Sequence, residues 1–240
     1  MNTAFRAIVK QSSKGIFEER AKIVSAKGKF DQLNTSAYQG LSDLMKDLYW
    51  QAISHFGADE IASGIQKIDT MLVQVLVEQL LPELEGFISS KRNIHELPPM
   101  ESRNRLENAI CEFFQCIASL YEHPMMILLD DIQWASDTSM FLIKSLIKNT
   151  KALFVFCFRV DISNRNIPIQ LLREEVENTP EYTCFISLKG LSLEDVQDLT
   201  ADMMGCKANT IEDLALVLHS KTKGNPLFLT KVSIAVVLLS

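Results

Sequence analysis

Apolar residues recur every three or four positions along much of this chain, which is the spacing of helices with one buried face. The spacing predicts helices over residues 38–56, 58–68, 72–81, 101–121, 138–148, 192–204, 210–220 and 226–240. Gly57 follows the first of them and Pro82 ends the third, as expected of residues that interrupt helical structure. Helices therefore account for most of the predicted structure.

Three apolar runs differ from the predicted helices, because their apolar residues are continuous instead of periodic. They occupy residues 125–129, 152–158 and 184–188, and a short β-type run covers Ile23 to Ser25, with a possible extension to Phe30. Continuous hydrophobicity is typical of strands covered on both faces, as in a parallel sheet between helices. A strand, a helix and a second strand joined by short connections form a right-handed βαβ unit. The pattern predicts an α/β core followed by a small helical subdomain.

Composition limits the classes of function. With 47% hydrophobic and 22% charged residues, the 240-residue chain has the makeup of a globular protein with a proper core. The net charge of −6 and the lack of a polybasic block argue against direct binding to nucleic acid. The start of the chain lacks the apolar stretch of a secretory signal, and the apolar end, VSIAVVLLS, is too short to span a bilayer. Five cysteines without CxxC spacing suggest reduced thiols filling the core of a cytoplasmic protein.

The candidate chemistry lies in the stretch MMILLDDIQWASD, residues 125–137. Its apolar run ends in Asp130 and Asp131, and ligands of open α/β sheets collect beyond the carboxyl ends of strands. Two adjacent carboxylates repel each other unless a cation offsets them. A hydrated Mg²⁺ on phosphate oxygens needs one or two protein carboxylates. Alternatively, the pair ends a strand and solvates a turn, while Asp137 caps the next helix.

Two further features accompany the acidic pair. Arg159 ends the next predicted strand, so a cation reaches the same edge of the sheet as the acids. Gly224, Asn225 and Pro226 stand at a predicted helix start, where proline suits the first turn. Taken alone, that turn is a common kind of helix junction.

Several motifs along the chain occur in the order found in a known family. They are LPPMESRNRL (97–106), HPMMILLDDIQWASDTS (123–139), FCFR (156–159) and KTKGNPLF (221–228). Together they resemble the AAA-type ATPase module of the STAND signalling NTPases, as found in large serine/threonine-kinase and histidine-kinase hybrid proteins and near LuxR-type regulators. GKFDQL (28–33) is similar to the second-strand region of those modules. The resemblance covers nearly all of the chain from Gly28 and implies a P-loop NTPase-like fold that binds ATP and Mg²⁺.

The resemblance also implies a role for each candidate residue. The LLDD strand corresponds to Walker B, with Asp130 holding Mg²⁺ through water and Asp131 polarising an attacking water. Arg159 corresponds to a sensor of the phosphate state, and the GNP turn to an adenine contact. The implied site residues are Asp130, Asp131, Arg159, Gly224, Asn225 and Pro226. Trp134 and Asp137 belong to the extended motif. Trp134 is expected to pack, and Asp137 is expected to cap the following helix.

One part of the family pattern is missing, namely the phosphate cradle G-x-x-x-x-G-K-[ST]. Gly28 and Lys29 come nearest to it, but Ile23 stands where the first glycine belongs and Phe30 where serine or threonine should follow. A phosphate site without this loop loses most of its affinity and its catalytic positioning. The chain is therefore either a piece of a larger ATPase or a degenerate module kept for protein contacts.

These observations predict three segments and a function. Residues 1–20 replace the P-loop region, 21–190 form a partial nucleotide-binding core, and 191–240 form a lid-like helical subdomain. The predicted function is an ATP-dependent switch with weak or no hydrolysis, acting on neighbouring kinase or sensor modules. The alternative is a non-enzymatic scaffold that binds partner proteins through the helices between residues 38 and 81.

Overall fold

The computed structural model describes residues 24–33, 36–88, 98–121, 125–159, 170 and 183–239. They fall into two units, one within Arg20–Thr183 and one within Cys184–Ser240. The segment predicted to replace the P-loop region, residues 1–20, lies outside the described residues.

The first unit is built on a three-stranded parallel sheet. Its strands are β1 (Ser25–Lys29), β2 (Met125–Asp130) and β3 (Ala152–Phe156), in the order β1-β2-β3. The helices of this unit are α1 (Gln39–Phe56), α2 (Ala58–Ile65), α3 (Thr70–Gln79), α4 (Pro99–Ala118) and α5 (Asp137–Asn149), with short 3-10 helices at Pro82–Phe87 and Ile132–Trp134. This arrangement confirms the predicted α/β class and the five helices expected in this part of the chain.

One face of the sheet carries the main core. Along β2, Met125, Ile127 and Leu129 are buried, whereas the intervening residues are half-buried. On β3, which pairs with β2 on the side opposite β1, Leu153 is 60% exposed. On β1, the successive residues Ser25 and Ala26 are both buried, so the predicted coverage of both faces holds there, whereas it is incomplete on β2 and β3. Burial alternates along β2 although its sequence is continuously apolar.

Side chains of α1 close the outer edge of β1. Gln51 Nε2 donates a hydrogen bond to the carbonyl oxygen of Ser25 at 2.7 Å. The backbone N–H of Lys27 donates to Asp47 Oδ2 at 2.9 Å. Because these backbone groups face away from β2, no further strand is needed to satisfy them. Among the described strands, β1 is thus the edge strand next to α1.

The second unit is helical, with α6 (Leu193–Met204), α7 (Glu212–Thr222) and α8 (Pro226–Leu239). Its small core includes Val196, Ala215, Leu218 and Leu229. The strand predicted at residues 184–188 is wrong: this stretch has no regular structure. Its apolar side chains do not build a core either, since Phe185 is 51% and Ile186 70% exposed.

Two further expectations concern thiols and membranes. Cys111 and Cys116 are half-buried, and burial raises the pKa of both thiols. Cys184 and Cys206 are exposed, so the prediction that the cysteines fill core space is wrong for these two. Among the helices of the described part, none combines the length and the apolar character needed to cross a bilayer.

Candidate functional site

The carboxyl ends of the three strands meet at one edge of the sheet, where β2 ends in Asp130 followed by Asp131. Backbone hydrogen bonds continue past the strand ends and hold this edge together. The N–H of Phe30 donates to the carbonyl oxygen of Asp130 at 3.0 Å, and the N–H of Cys157 donates to that of Leu129 at 2.9 Å. The acidic pair therefore sits at the tip of the middle strand, with a strand end on each side.

Asp131 turns the chain sharply away from the sheet. Its backbone is left-handed, with φ 57° and ψ 38°, a conformation that is uncommon for residues other than glycine and least so for Asp and Asn. The N–H of Asp131 donates to Asp130 Oδ1 at 3.0 Å. Asp130 and Asp131 are both half-buried residues, and this hydrogen bond ties the two together.

A buried amide connects this tip to the end of β3. Gln133 is 3% exposed, and its Nε2 donates to Asp131 Oδ1 at 3.1 Å. Its Oε1 accepts a hydrogen bond from the backbone N–H of Arg159 at 3.3 Å. Gln133 is not among the site residues predicted from the sequence, although a polar residue between Ile132 and Trp134 in the acidic motif was a visible signal.

Cationic residues flank the acidic pair on both sides. Arg159 follows β3 and is brought to the same edge as Asp130 and Asp131, as the sequence predicted. Lys29 is the register partner of Asp130 across the β1–β2 pair, and it is exposed like Arg159. Lys29 is not among the site residues predicted from the sequence, because nothing in the sequence fixes which residue of β1 pairs with Asp130. Two acids with a cation at each neighbouring strand end suit a metal ion bound to an anion.

The segment after the acidic motif starts α5, and its cap differs from the one expected. The cap is Ser136, whose Oγ accepts a hydrogen bond from the N–H of Ser139 at 3.1 Å. Asp137 lies exposed in the first turn, so the prediction that it caps the helix is wrong. The hydroxyls of Ser136 and Ser139 both donate to the carbonyl oxygen of Ala37, which fixes the start of α5 beside the start of α1. Trp134 is partly buried against the core, as expected.

The GNP turn lies in the second unit, where each residue has a local structural role. Gly224 has φ 68°, and a Cβ there would lie 2.6 Å from the nitrogen of Leu191. Asn225 Oδ1 accepts hydrogen bonds from the N–H groups of Leu227 at 3.0 Å and of the next residue at 3.4 Å. Pro226 is the first residue of α8, as predicted. The helix-junction interpretation explains this turn, and the adenine contact stays a prediction.

The donor set at the sheet edge fits Mg²⁺ better than a metal that needs several protein ligands. Within the described ranges, no group of three or more His, Cys, Asp or Glu side chains is placed to hold a metal. Mg²⁺ keeps most of its waters and takes one or two carboxylates together with phosphate oxygens. Asp130 and Asp131 supply that number of carboxylates. For the phosphates, the chain offers Lys29 and Arg159 but no glycine-rich cradle in its sequence.

Comparison with known proteins agrees with this arrangement. Residues 2–157 match the family model described as the AAA ATPase domain. Among curated proteins, the hybrid signal transduction histidine kinase G of Dictyostelium discoideum is 27% identical over 128 residues, which covers 51% of this chain and 4% of the kinase. The chain thus corresponds to a small part of that protein's length. No solved structure matches. Because the family model covers more than half of the chain, the chain belongs to the AAA ATPase domain family.

Proposed function

We propose that this chain is a nucleotide-dependent switch module of the STAND type within a longer signalling protein. In this proposal Asp130 holds the Mg²⁺ of bound Mg·ATP through water, and Asp131 polarises the attacking water. The observation that carries the proposal is the acidic pair at the tip of the middle strand of a parallel sheet, with Lys29 and Arg159 at the two flanking strand ends. Membership of the AAA ATPase domain family supports ATP as the nucleotide.

Each residue of this edge receives a role from its contacts. Asp130 orients the water shell of the metal, and Asp131 polarises a water near the γ-phosphate, a task that Gln133 assists by holding Asp131 Oδ1. Arg159 senses the phosphate, and its backbone is tied to the same amide. Mg²⁺, when bound, would neutralise part of the negative charge on the phosphate oxygens. Hydrolysis is weak or absent, because the sequence lacks the glycine-rich loop and its lysine.

The output of the switch follows from how ligands act on proteins with two conformations. A nucleotide shifts the population only by its difference in affinity for the two states. The kinase relative supports neighbouring signalling domains, of kinase or sensor type, as the recipients of that shift.

Thermal unfolding with and without Mg·ATP tests the proposal. A ligand at about ten times its Kd stabilises the folded state by ~1.4 kcal/mol, and each kcal/mol raises Tm by about 2–4 °C for a chain of this size. We expect such an increase for the unmodified chain and none for Asp130→Ala. Asp137→Ala is the matched control, since Asp137 is an exposed neighbour in the same motif, and it should keep the increase. The absence of any shift at millimolar Mg·ATP contradicts the proposal.

The second candidate function is a protein-interaction scaffold without nucleotide binding. Two observations favour it: the missing phosphate cradle in the sequence, and Trp50 on α1, which is 56% exposed. Exposed tryptophan is enriched among the residues that dominate protein interfaces. The same thermal experiment separates the two functions, because a scaffold of this kind shows no response to Mg·ATP.

A further inference from the structure

A concave site lies in the first unit, beside the starts of α1 and α5. It is a cavity of about 770 Å³ between α3, the start of α4 and the residues that precede or begin α1 and α5. Its lining shares no residue with the acidic edge described above. The volume falls within the range of small-molecule sites, about 300–1,000 Å³.

Arg103 lines this cavity with a guanidinium group whose orientation is fixed. Its guanidinium carbon lies 4.1 Å from the centroid of the Phe141 ring, an arrangement in which the aromatic face attracts the cation and fixes its orientation. Its Nε is buried and forms no hydrogen bond with a described residue, so no described acceptor competes at that atom for the guanidinium group.

The charge balance of the cavity favours a negatively charged ligand. Arg105 lines it together with Arg103, against one acidic residue, Glu78. The Glu78 carboxylate accepts a hydrogen bond from the neutral amide Gln74 Nε2 at 2.9 Å, and the cavity therefore has two cationic residues against one acidic residue. Neither arginine forms an ion pair with a described residue. An anion with acceptor oxygens would therefore meet two guanidinium groups that have no competing carboxylate partner.

The rest of the lining sets the character of the ligand's body. Val75 and Leu106 are buried apolar residues of the cavity wall, 7% and 3% exposed. Pro98 and Pro99 add apolar surface, and Tyr38 adds an aromatic ring. A purely polar anion such as free phosphate would leave these walls without contacts.

We propose that this cavity binds a small organic anion with an apolar body, its acid group held by Arg103 and Arg105 and its body packed against Val75 and Leu106. The site is independent of the proposed nucleotide edge, so either can fail without the other. Thr138, in the first turn of α5, lines the cavity and follows the acidic motif closely in the chain. A ligand here contacts the same helix start that Ser136 and Ser139 fix to Ala37.

A pair of fluorescent probes that differ in charge tests this proposal. Anilinonaphthalene sulfonate has an acid group on an apolar body, and N-phenyl-1-naphthylamine has a similar body without the acid. We expect the full chain to bind the sulfonate, and Arg103→Gln and Arg105→Gln each to weaken that binding about tenfold, the effect of losing a charge-assisted hydrogen bond. Binding of the uncharged probe should stay unchanged in the same variants. Lys151→Gln removes an exposed cation that is not part of the cavity and should change neither probe's binding.

Two results overturn the proposal. One is sulfonate binding that stays within twofold of the unmodified chain in both arginine variants, and the other is an equal loss in Lys151→Gln. Circular dichroism confirms that each variant is folded before titration. If Arg103→Gln fails to fold because the stacking on Phe141 is lost, Arg105→Gln decides the outcome alone.

Discussion

At the scale of single residues, two glycines bring α1 against the sheet. Gly28 on β1 is buried, and a Cβ at this position would overlap the carbonyl oxygen of Gly40 and lie 2.9 Å from Leu129 Cδ2. Gly40 in turn leaves room for the ring of Phe30, 2.7 Å from where its own Cβ would stand. These contacts are with backbone and core atoms that cannot move aside at low cost.

Gly28→Ala should therefore destabilise the first unit. Overpacking of a filled core typically costs ~1–3 kcal/mol of unfolding free energy, and the clash with backbone places this site at the upper end. Urea unfolding followed by circular dichroism measures the loss. Gly86→Ala is the control, since a Cβ there meets nothing within 4 Å, and it should leave the midpoint nearly unchanged. Equal midpoints for the two variants would show that the close approach of α1 and β1 is not needed for stability.

The acidic residues of the candidate site were predictable from the sequence, and their partners were not. Asp130, Asp131 and Arg159 each end an apolar run, so their placement at one sheet edge follows from the pattern alone. Lys29 depends on the register between β1 and β2, which short apolar runs do not specify. Gln133 depends on the left-handed backbone at Asp131, which directs the following residues back over the edge.

At the scale of elements, the helices followed from periodicity because each buries one face. The eight predicted helices all appear, and their ends move by a few residues where a cap or a proline decides the boundary. The strand predicted at residues 184–188 does not form, because an apolar run in the sequence does not show whether a neighbouring strand is available for pairing. Instead, the following backbone is fixed by a hydrogen bond from the N–H of Leu191 to the carbonyl oxygen of Gly224 at 2.8 Å.

The start of α6 leads to a prediction about pH. Its capping box pairs Ser192 and Asp195: the N–H of Ser192 donates to Asp195 Oδ2 at 2.9 Å, and the Ser192 hydroxyl donates to the same oxygen at 2.6 Å. The Ser192 hydroxyl, followed by its backbone N–H, lowers the pKa of the Asp195 carboxyl. A lowered folded-state pKa means that this stabilisation is fully present above the ordinary aspartate value, about pH 4, and is lost as pH falls through the lowered one.

Ser192→Ala should raise the pKa of Asp195 toward its ordinary value, because the largest of the stabilising hydrogen bonds is removed. An NMR titration of the Asp195 carboxyl carbon measures the change directly. Ser220→Ala serves as control, since that hydroxyl donates to the carbonyl oxygen of Val217 at 3.0 Å and touches no carboxylate. An unchanged Asp195 titration in Ser192→Ala would mean that the capping box does not form in solution.

At the scale of the whole molecule, one edge of the sheet is covered by side chains of α1. The side chains of Gln51 and Asp47 bond to two outer backbone groups of β1, the carbonyl oxygen of Ser25 and the N–H of Lys27, so a further strand cannot pair with these groups without displacing these side chains. No described strand pairs with the outer side of β3. The strand with the acidic pair, β2, is therefore separated from the edge next to α1 by one strand, β1.

Water-proton relaxation in the presence of Mn²⁺·ATP tests the central claim most directly. Mn²⁺ accepts the same oxygen ligands as Mg²⁺, and its effect on water relaxation grows when the ion tumbles slowly on a protein. We expect an enhancement with the unmodified chain that disappears in the double variant Asp130→Asn with Asp131→Asn. The exposed pair Asp59→Asn with Asp137→Asn should keep it. An enhancement of equal size in the chain and its Asp130/Asp131 variant, or none with either, would contradict a metal–triphosphate site at the tip of β2.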